Sequence, residues 1–277
     1  KLGNADPKVL KDFNYDAIDT CATDGLCEMV CPVNINTGNN IKSLKLQNLS
    51  FLNKVVSSWA ANHFSFLQFI ARLGLRFGKS AELLFGNNIV LLLSKFFNRF
   101  FRTPLWNKSL PSLAPTIRPL SYKKEDRWVY FPSCVNRILS SDSKKSSLVN
   151  ILNQISSKSG ENFRIPKMIN SICCSQPFTS KGYKDAALLI QEKTIDILWE
   201  CSDEGRLPIL VDTSPCTHQL LDFHQELNIS SKEKLDNFKI VDLIDYLKLS
   251  TDAFNNPKLK GEITIHPTCS TEKMDQT

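Results

Sequence analysis

Cys21, Cys27 and Cys31 fall in one short stretch that Pro32 closes, and this grouping constrains the chain more than any other feature. So few residues cannot bury a core of their own, so a bound metal or cluster is expected to organise them. Nine cysteines occur in all, in tight local groups that include the vicinal pair Cys173 and Cys174. Vicinal thiols and a proline-terminated group suit metal better than the disulfide framework of a secreted protein. A reducing compartment, and with it a cytoplasmic location, is the expectation.

At 277 residues, 42% of them hydrophobic, the chain can bury a core, and two modest domains fit its length. The net charge of +6, from 34 Lys and Arg against 28 Asp and Glu, is spread along the chain, which argues against a nucleic-acid partner. No apolar run reaches the roughly 18 residues of a membrane span; the longest, Ile89 to Leu93, is far shorter. The start lacks the pattern of a secretory signal. The chain opens at Lys1 without a methionine and stops at Thr277 just after a new motif begins, so both ends read as cut.

Along the chain, residues 1–45 read as a cluster-binding loop that enters a helix at about Thr37. Residues 46–103 carry apolar residues at helical spacing, as in Phe64, Leu67, Ile70, Ala71 and Leu75, and predict a helical hairpin or small bundle. Prolines 104, 111, 115 and 119 mark residues 104–126 as a linker. From 127 to 277 short apolar strands alternate with helices: Trp128 to Phe131 then a helix from about Val135, Leu207 to Val211 then a helix from about His218, and Ile263 to His266. That alternation predicts an α/β domain with a mostly parallel sheet, behind an N-terminal α-helical, ferredoxin-like segment. Sites in such sheets form at the carboxyl ends of strands, where Cys134, Cys216 and Cys269 each stand.

The stretch from Cys21 to Pro32 has the register C-x2-C-x2-C-x3-C-P of bacterial ferredoxins, with Asp24 in place of the second cysteine. In two-cluster ferredoxins the last cysteine serves the other cluster. By that logic Cys21 and Cys27 hold one cluster, Cys31 a second, and a matching motif precedes residue 1. Asp24 either ligates the fourth iron through oxygen, leaves that corner open as in a 3Fe-4S cluster, or shapes an Asp-Gly turn with Gly25. Zinc and free buried thiols are the plainer alternatives.

A second constellation comprises Phe131-Pro-Ser-Cys134, Cys173-Cys174-Ser175, Asp212-Thr-Ser-Pro-Cys216 and Cys269 after His266-Pro-Thr. Two adjacent thiolates cannot easily point at one metal ion, whereas a larger cluster accepts both. This pattern resembles the cysteine-rich domain with a Cys-Cys-Gly signature found in heterodisulfide reductase, anaerobic glycerol-3-phosphate dehydrogenase and lactate-oxidising proteins. Cys134, Cys173, Cys174 and Cys216 match a first copy, and Cys269 would begin a second, truncated one. Ser175 stands where the signature has glycine, and Gln219 where a further cysteine would follow Cys216. Zinc or a structural role remains an alternative for this copy.

The segment Cys21-Ala-Thr-Asp-Gly-Leu-Cys-Glu-Met-Val-Cys-Pro, with Gln176-Pro-Phe-Thr-Ser-Lys-Gly182 and His266-Pro-Thr-Cys-Ser270, resembles bacterial flavin- and iron-sulfur-dependent D-lactate (D-2-hydroxy acid) dehydrogenases. That resemblance covers about residues 9–45 and 127–277 and implies the iron-sulfur half of such an enzyme. It implies 4Fe-4S or 3Fe-4S clusters on Cys21, Asp24, Cys27, Cys31, Cys134, Cys173, Cys174, Cys216 and Cys269, and no catalytic residue for the alcohol oxidation. FAD would sit in a flavin domain of the same polypeptide outside this chain, and a quinone or cytochrome-type protein would accept the electrons. Rival readings are a glycerol-3-phosphate dehydrogenase or heterodisulfide-reductase-like subunit, and a zinc-stabilised interaction module. Cys201 reads as a core residue, and His218 as a spare ligand or a solvated helix-start histidine. The stretch Phe96 to Arg102 reads either as peripheral contact with the inner face of the membrane or as a docking surface for the flavin domain.

Overall fold

The computed structural model describes residues 6–101, 105–107, 109–117, 122–140, 148–223, 227–249, 262, 264 and 268–275. Most of Ile263 to His266 and the whole of Arg102 lie outside the described residues.

The amino-terminal part is helical. After α1 (Pro7–Phe13) and a π-helical turn (Asn14–Asp19), the chain forms a short α2 (Leu26–Met29). It continues through α3 (Thr37–Gln47), α4 (Phe51–Asn62), α5 (Phe64–Phe85) and α6 (Asn87–Phe101). Local chemistry sets the starts of these helices. Asn36 and Ser50 cap α3 and α4 by accepting from the amides of Asn39 and Asn53. Gly86 at φ 78° makes the break between α5 and α6, a left-handed conformation that costs glycine little.

The linker is not featureless, because β1 (Ser112–Leu113) pairs antiparallel with β3 (Leu139–Ser140). The α/β domain then builds on β2 (Asp126–Phe131), α7 (Cys134–Ile138), α8 (Leu148–Ser159), β4 (Asn162–Arg164), α9 (Gln176–Thr179) and α10 (Lys184–Cys201). It continues through β5 (Ile209–Val211), α11 (Ser214–Leu221), α12 (Ile229–Asp236), β6 (Ile240–Asp242) and α13 (Leu243–Leu249). The last described element is α14 (Cys269–Asp275). Strands β4, β2, β5 and β6 form one sheet in that order, and every pairing is parallel, as the alternation of strands and helices predicts.

Strands buried on both faces need continuous apolar runs, and Val129, Phe131, Ile209, Leu210 and Val211 are all fully buried. Ile190, Ile195 and Leu198 of α10 close one face of this core. Cys201 ends α10 within the core, as its place on the amphipathic helix predicts. Arg164 is stitched to Asp126 at 3.1 Å and Asp203 at 2.9 Å, so this buried cation is paired.

Side chains from the helical part tie it to the domain. Lys45 donates to the carbonyls of Cys21 and Ser180, both at 3.0 Å, and Gln68 donates to the carbonyl of Asn170 at 2.7 Å. Gly182 is required at this seam: a Cβ there would lie 2.8 Å from the amide nitrogen of Leu46 and 2.9 Å from Cβ of Lys45. Among the described residues no helix is long and apolar enough to cross a membrane.

Candidate metal centre

Strands β2 and β5 end side by side, with Phe131 opposite Val211, so the loops that follow them emerge together at the carboxyl edge of the sheet. Ser133 caps α7 by accepting from the amide of Asn136, which places Cys134 at the first turn. Helix α11 opens at Ser214 without a side-chain cap, and Pro215 in its first turn sets Cys216 one residue further on. Asp212 binds the two loops together, accepting from the Tyr130 hydroxyl at 2.7 Å and the Ser133 amide at 2.9 Å.

Cys173 and Cys174 reach this edge from the segment after β4. Ser175, which follows them, adopts φ 67° while fully buried. A left-handed backbone at this position explains why the signature carries glycine there. Here the serine earns its place through its hydroxyl, which accepts from Gln191 at 2.8 Å.

The structure brings four cysteines together. The Cys174 and Cys216 sulfurs are 3.1 Å apart, and Cys173 lies between Cys134 and Cys174, close enough for each neighbouring thiol to shift its titration. Cys173, Cys174 and Cys216 are buried, and Cys134 is half-buried. The bond with Cys173, followed by burial, pushes the Cys134 thiol far above its ordinary range. At Cys173 the Cys134 contact pulls downward, but the Cys174 bond and burial outweigh it, and the balance is upward. Cys174 is raised too, its contact with Cys173 being outweighed by Cys216 and burial. Without metal the surroundings of Cys134, Cys173 and Cys174 therefore favour the neutral thiol.

Two thiolates at 2.3 Å from one tetrahedral ion sit ~3.8 Å apart, so metal would spread the 3.1 Å pair by less than 1 Å. Among the described residues no three His, Cys, Asp or Glu side chains surround a single ion-sized point. The four thiols are linked pairwise in succession, an arrangement that suits a cluster of several irons better than one ion.

Sequence reasoning missed Arg137. It follows Cys134 by one turn of α7, is 2% exposed, and donates from Nη2 to the carbonyl of Ile172 at 2.8 Å. Its Nε and Nη1 are buried without a hydrogen-bond partner. Burial lowers its pKa, and Cys134, Cys173, Asp212 and Cys174 act electrostatically in the opposite direction. A buried cation with orphaned donors beside neutral thiols is costly. Thiolates, or a net-anionic cluster held by them, would balance it, so the residues present fit an iron-sulfur group. In the sequence, the register one helical turn after Cys134 was the only available signal.

The ferredoxin-spaced residues are arranged differently. Cys21 follows the π-helical turn, Cys27 lies on α2 and Cys31 in the turn after it, all half-buried. The Cys27 sulfur lies 2.8 Å from the Thr37 hydroxyl, which holds its pKa below the ordinary thiol value. Asp24 lines a polar cavity of about 240 Å³ with Glu28, Lys42, His218, Asp222 and Lys273. This loop is thus docked against α11, the helix that carries Cys216. Burial, then the Lys273 charge, lowers the pKa of His218 in that cavity. Gln219, in place of a further cysteine, accepts from Thr179 at 3.1 Å and stitches α11 to α9. Cys269 is exposed at the start of α14, which packs on α11 and α2. His224 and His266 lie outside the described residues.

No curated protein and no solved structure matches the chain. Residues 128–221, which contain Cys134, Cys173, Cys174 and Cys216, match the family model described as the CCG Cysteine-rich domain, which supports an iron-sulfur type of protein with a redox or electron-transfer role.

Proposed function

We propose that this chain is the iron-sulfur electron-transfer portion of an oxidoreductase that oxidises D-lactate or a related D-2-hydroxy acid. Electrons from the hydroxy acid would enter through FAD on a domain outside the chain and leave to a quinone or cytochrome-type acceptor. The observation that carries the redox part is the succession of four thiols at the carboxyl edge of the sheet, next to the buried cation of Arg137, whose Nε and Nη1 have no hydrogen-bond partner. The choice of substrate rests on the resemblance of the Cys21 to Pro32 segment.

An iron-sulfur cluster supplies one-electron storage in such a protein, with its potential set by ligands, hydrogen bonds and burial. Cys134, Cys173, Cys174 and Cys216 would hold it. Asp212 fixes the two strand-end loops, Ser133 and Pro215 fix the helix starts that aim the thiols, and Arg137 balances their charge on ionisation. Cys21, Cys27 and Cys31, with Asp24, would serve further clusters on the docked loop. Lys45 fixes the distance between that loop and the domain by bonding both at once.

The reading is tested by joining this chain to a flavin-containing D-2-hydroxy acid dehydrogenase domain and following cluster reduction after D-lactate is added. Bleaching of the cluster absorbance with D-lactate and not with L-lactate supports it. A reconstituted cluster that dithionite reduces but the flavin domain does not would refute the assigned role.

A further inference from the structure

Helix α6 exposes far more apolar surface than it buries. Ile89, Leu92, Leu93, Phe96, Phe97 and Phe100 recur at helical spacing and all face solvent, with Leu92 at 68% exposure. The packed side is narrow and mixed: Val90 is buried, the Ser94 hydroxyl accepts from the amide of Trp106, and Asn87 Oδ1 is buried. Helix α5 repeats the pattern, with Phe66, Phe69, Ile70, Leu73 and Phe77 in one exposed stripe. Each such side chain forgoes part of the hydrophobic stabilisation that burial would give, and contiguous exposed apolar surface of this kind marks a contact surface.

Charge indicates what the surface meets. Residues 51–101 contain Lys54, Arg72, Arg76, Lys79, Lys95 and Arg99 against one acid, Glu82. Lys95 and Arg99, one turn apart, border the α6 stripe, where long basic side chains can reach up to phosphate while their stems lie on the apolar layer. An apolar stripe flanked by basic residues, on helices unable to cross a bilayer, is the pattern of a helix lying in the plane of an interface.

We propose that the α5–α6 helix pair docks this protein on an anionic lipid bilayer, with the α6 stripe in the acyl boundary and Lys95 and Arg99 at the headgroups. This goes beyond the electron-transfer reading and does not depend on it.

The test is flotation of the 277-residue chain with vesicles of phosphatidylcholine alone and of an equimolar phosphatidylcholine–phosphatidylglycerol mixture. The protein should float with the anionic vesicles only, and added salt should weaken the binding. Lys95→Glu with Arg99→Glu should lower the partition coefficient about tenfold or more, since each basic residue near such a surface contributes about 1 kcal/mol. Leu92→Gln with Phe96→Gln should abolish flotation while leaving the unfolding temperature unchanged, because both side chains are exposed. Failure to float with either vesicle, equal flotation with both, or variants that float like the parent would each overturn the proposal. Should the parent instead be a dimer by light scattering that Leu92→Gln with Phe96→Gln converts to monomer, a second copy covers this face and the proposal is wrong.

Discussion

The sulfur of Cys174 lies 3.1 Å from that of Cys216, a residue 42 positions further along the chain. Strand β5 and helix α11 bring Cys216 in, while the left-handed Ser175 turns the chain just after Cys174. In metal-free protein this pair should be the readiest to form a disulfide. After mild oxidation with diamide, peptide mass spectrometry is expected to find Cys174 joined to Cys216. Protein reconstituted with iron and sulfide beforehand should resist that reaction.

The metal-free protein should lose stability in alkali. Cys134, Cys173 and Cys174 have folded pKa values raised above the ordinary 9.0, so their contribution is fully present below about pH 9. Above that pH the unfolded chain releases thiol protons that the folded chain keeps, and each such group removes about 1.4 kcal/mol per pH unit. Urea midpoints measured from pH 7 to pH 10.5 should fall above 9. Reconstituted protein, its thiolates already formed, should show no such fall from these cysteines.

Arg137→Met should separate the two states. In the metal-free protein the change removes a buried cation with two orphaned donors, and stability is expected to stay level or rise by about 1–3 kcal/mol. In the reconstituted protein the same change leaves anionic ligands without their counter-charge. Cluster loss to a chelator should accelerate, and the reduction potential should fall. Denaturant titration of the metal-free form and a redox titration of the loaded form measure the two effects.

Substitutions at Ser175 should rank in an order set by backbone and hydroxyl together. Ser175→Ala keeps the φ of 67° and strips Gln191 of its acceptor, for an expected cost of about 1–3 kcal/mol. Ser175→Gly loses the same hydrogen bond but relieves about 1 kcal/mol of left-handed strain, and should cost less than the alanine change. Thermal unfolding of both variants gives the order.

The parts of this architecture that depend on short-range pattern were legible in the chain. Apolar runs such as Trp128 to Phe131 marked a strand, and the cysteines just after two strands marked the edge where the site lies. The helix expected from about Thr37 begins there, and the structure shows Asn36 as its cap. Strands β4 and β6 were not read, because Asn162–Arg164 and Ile240–Asp242 are too short to show alternation. The start of α11 was set too late, at His218, because Pro215 was not read as a first-turn proline when it opens the helix. The linker hid a strand for a similar reason, since β1 has two residues and a partner beyond β2. Arg137 was invisible because an arginine in sequence looks like surface, and only burial by Ile172 and the thiols gives it meaning. Asp24 was read for its place among cysteines, yet its position in the cavity with His218 depends on how the loop docks on α11.

The central claim is that Cys134, Cys173, Cys174 and Cys216 together hold an iron-sulfur cluster. Its most direct test is anaerobic reconstitution of the protein and of a variant with all four changed to serine, followed by assay of iron, acid-labile sulfide and zinc. The account predicts iron with matching sulfide in the parent, and a loss of about four irons, one cubane's worth, in the variant. Zinc without sulfide in the parent, or the same iron and sulfide content in both proteins, would contradict it.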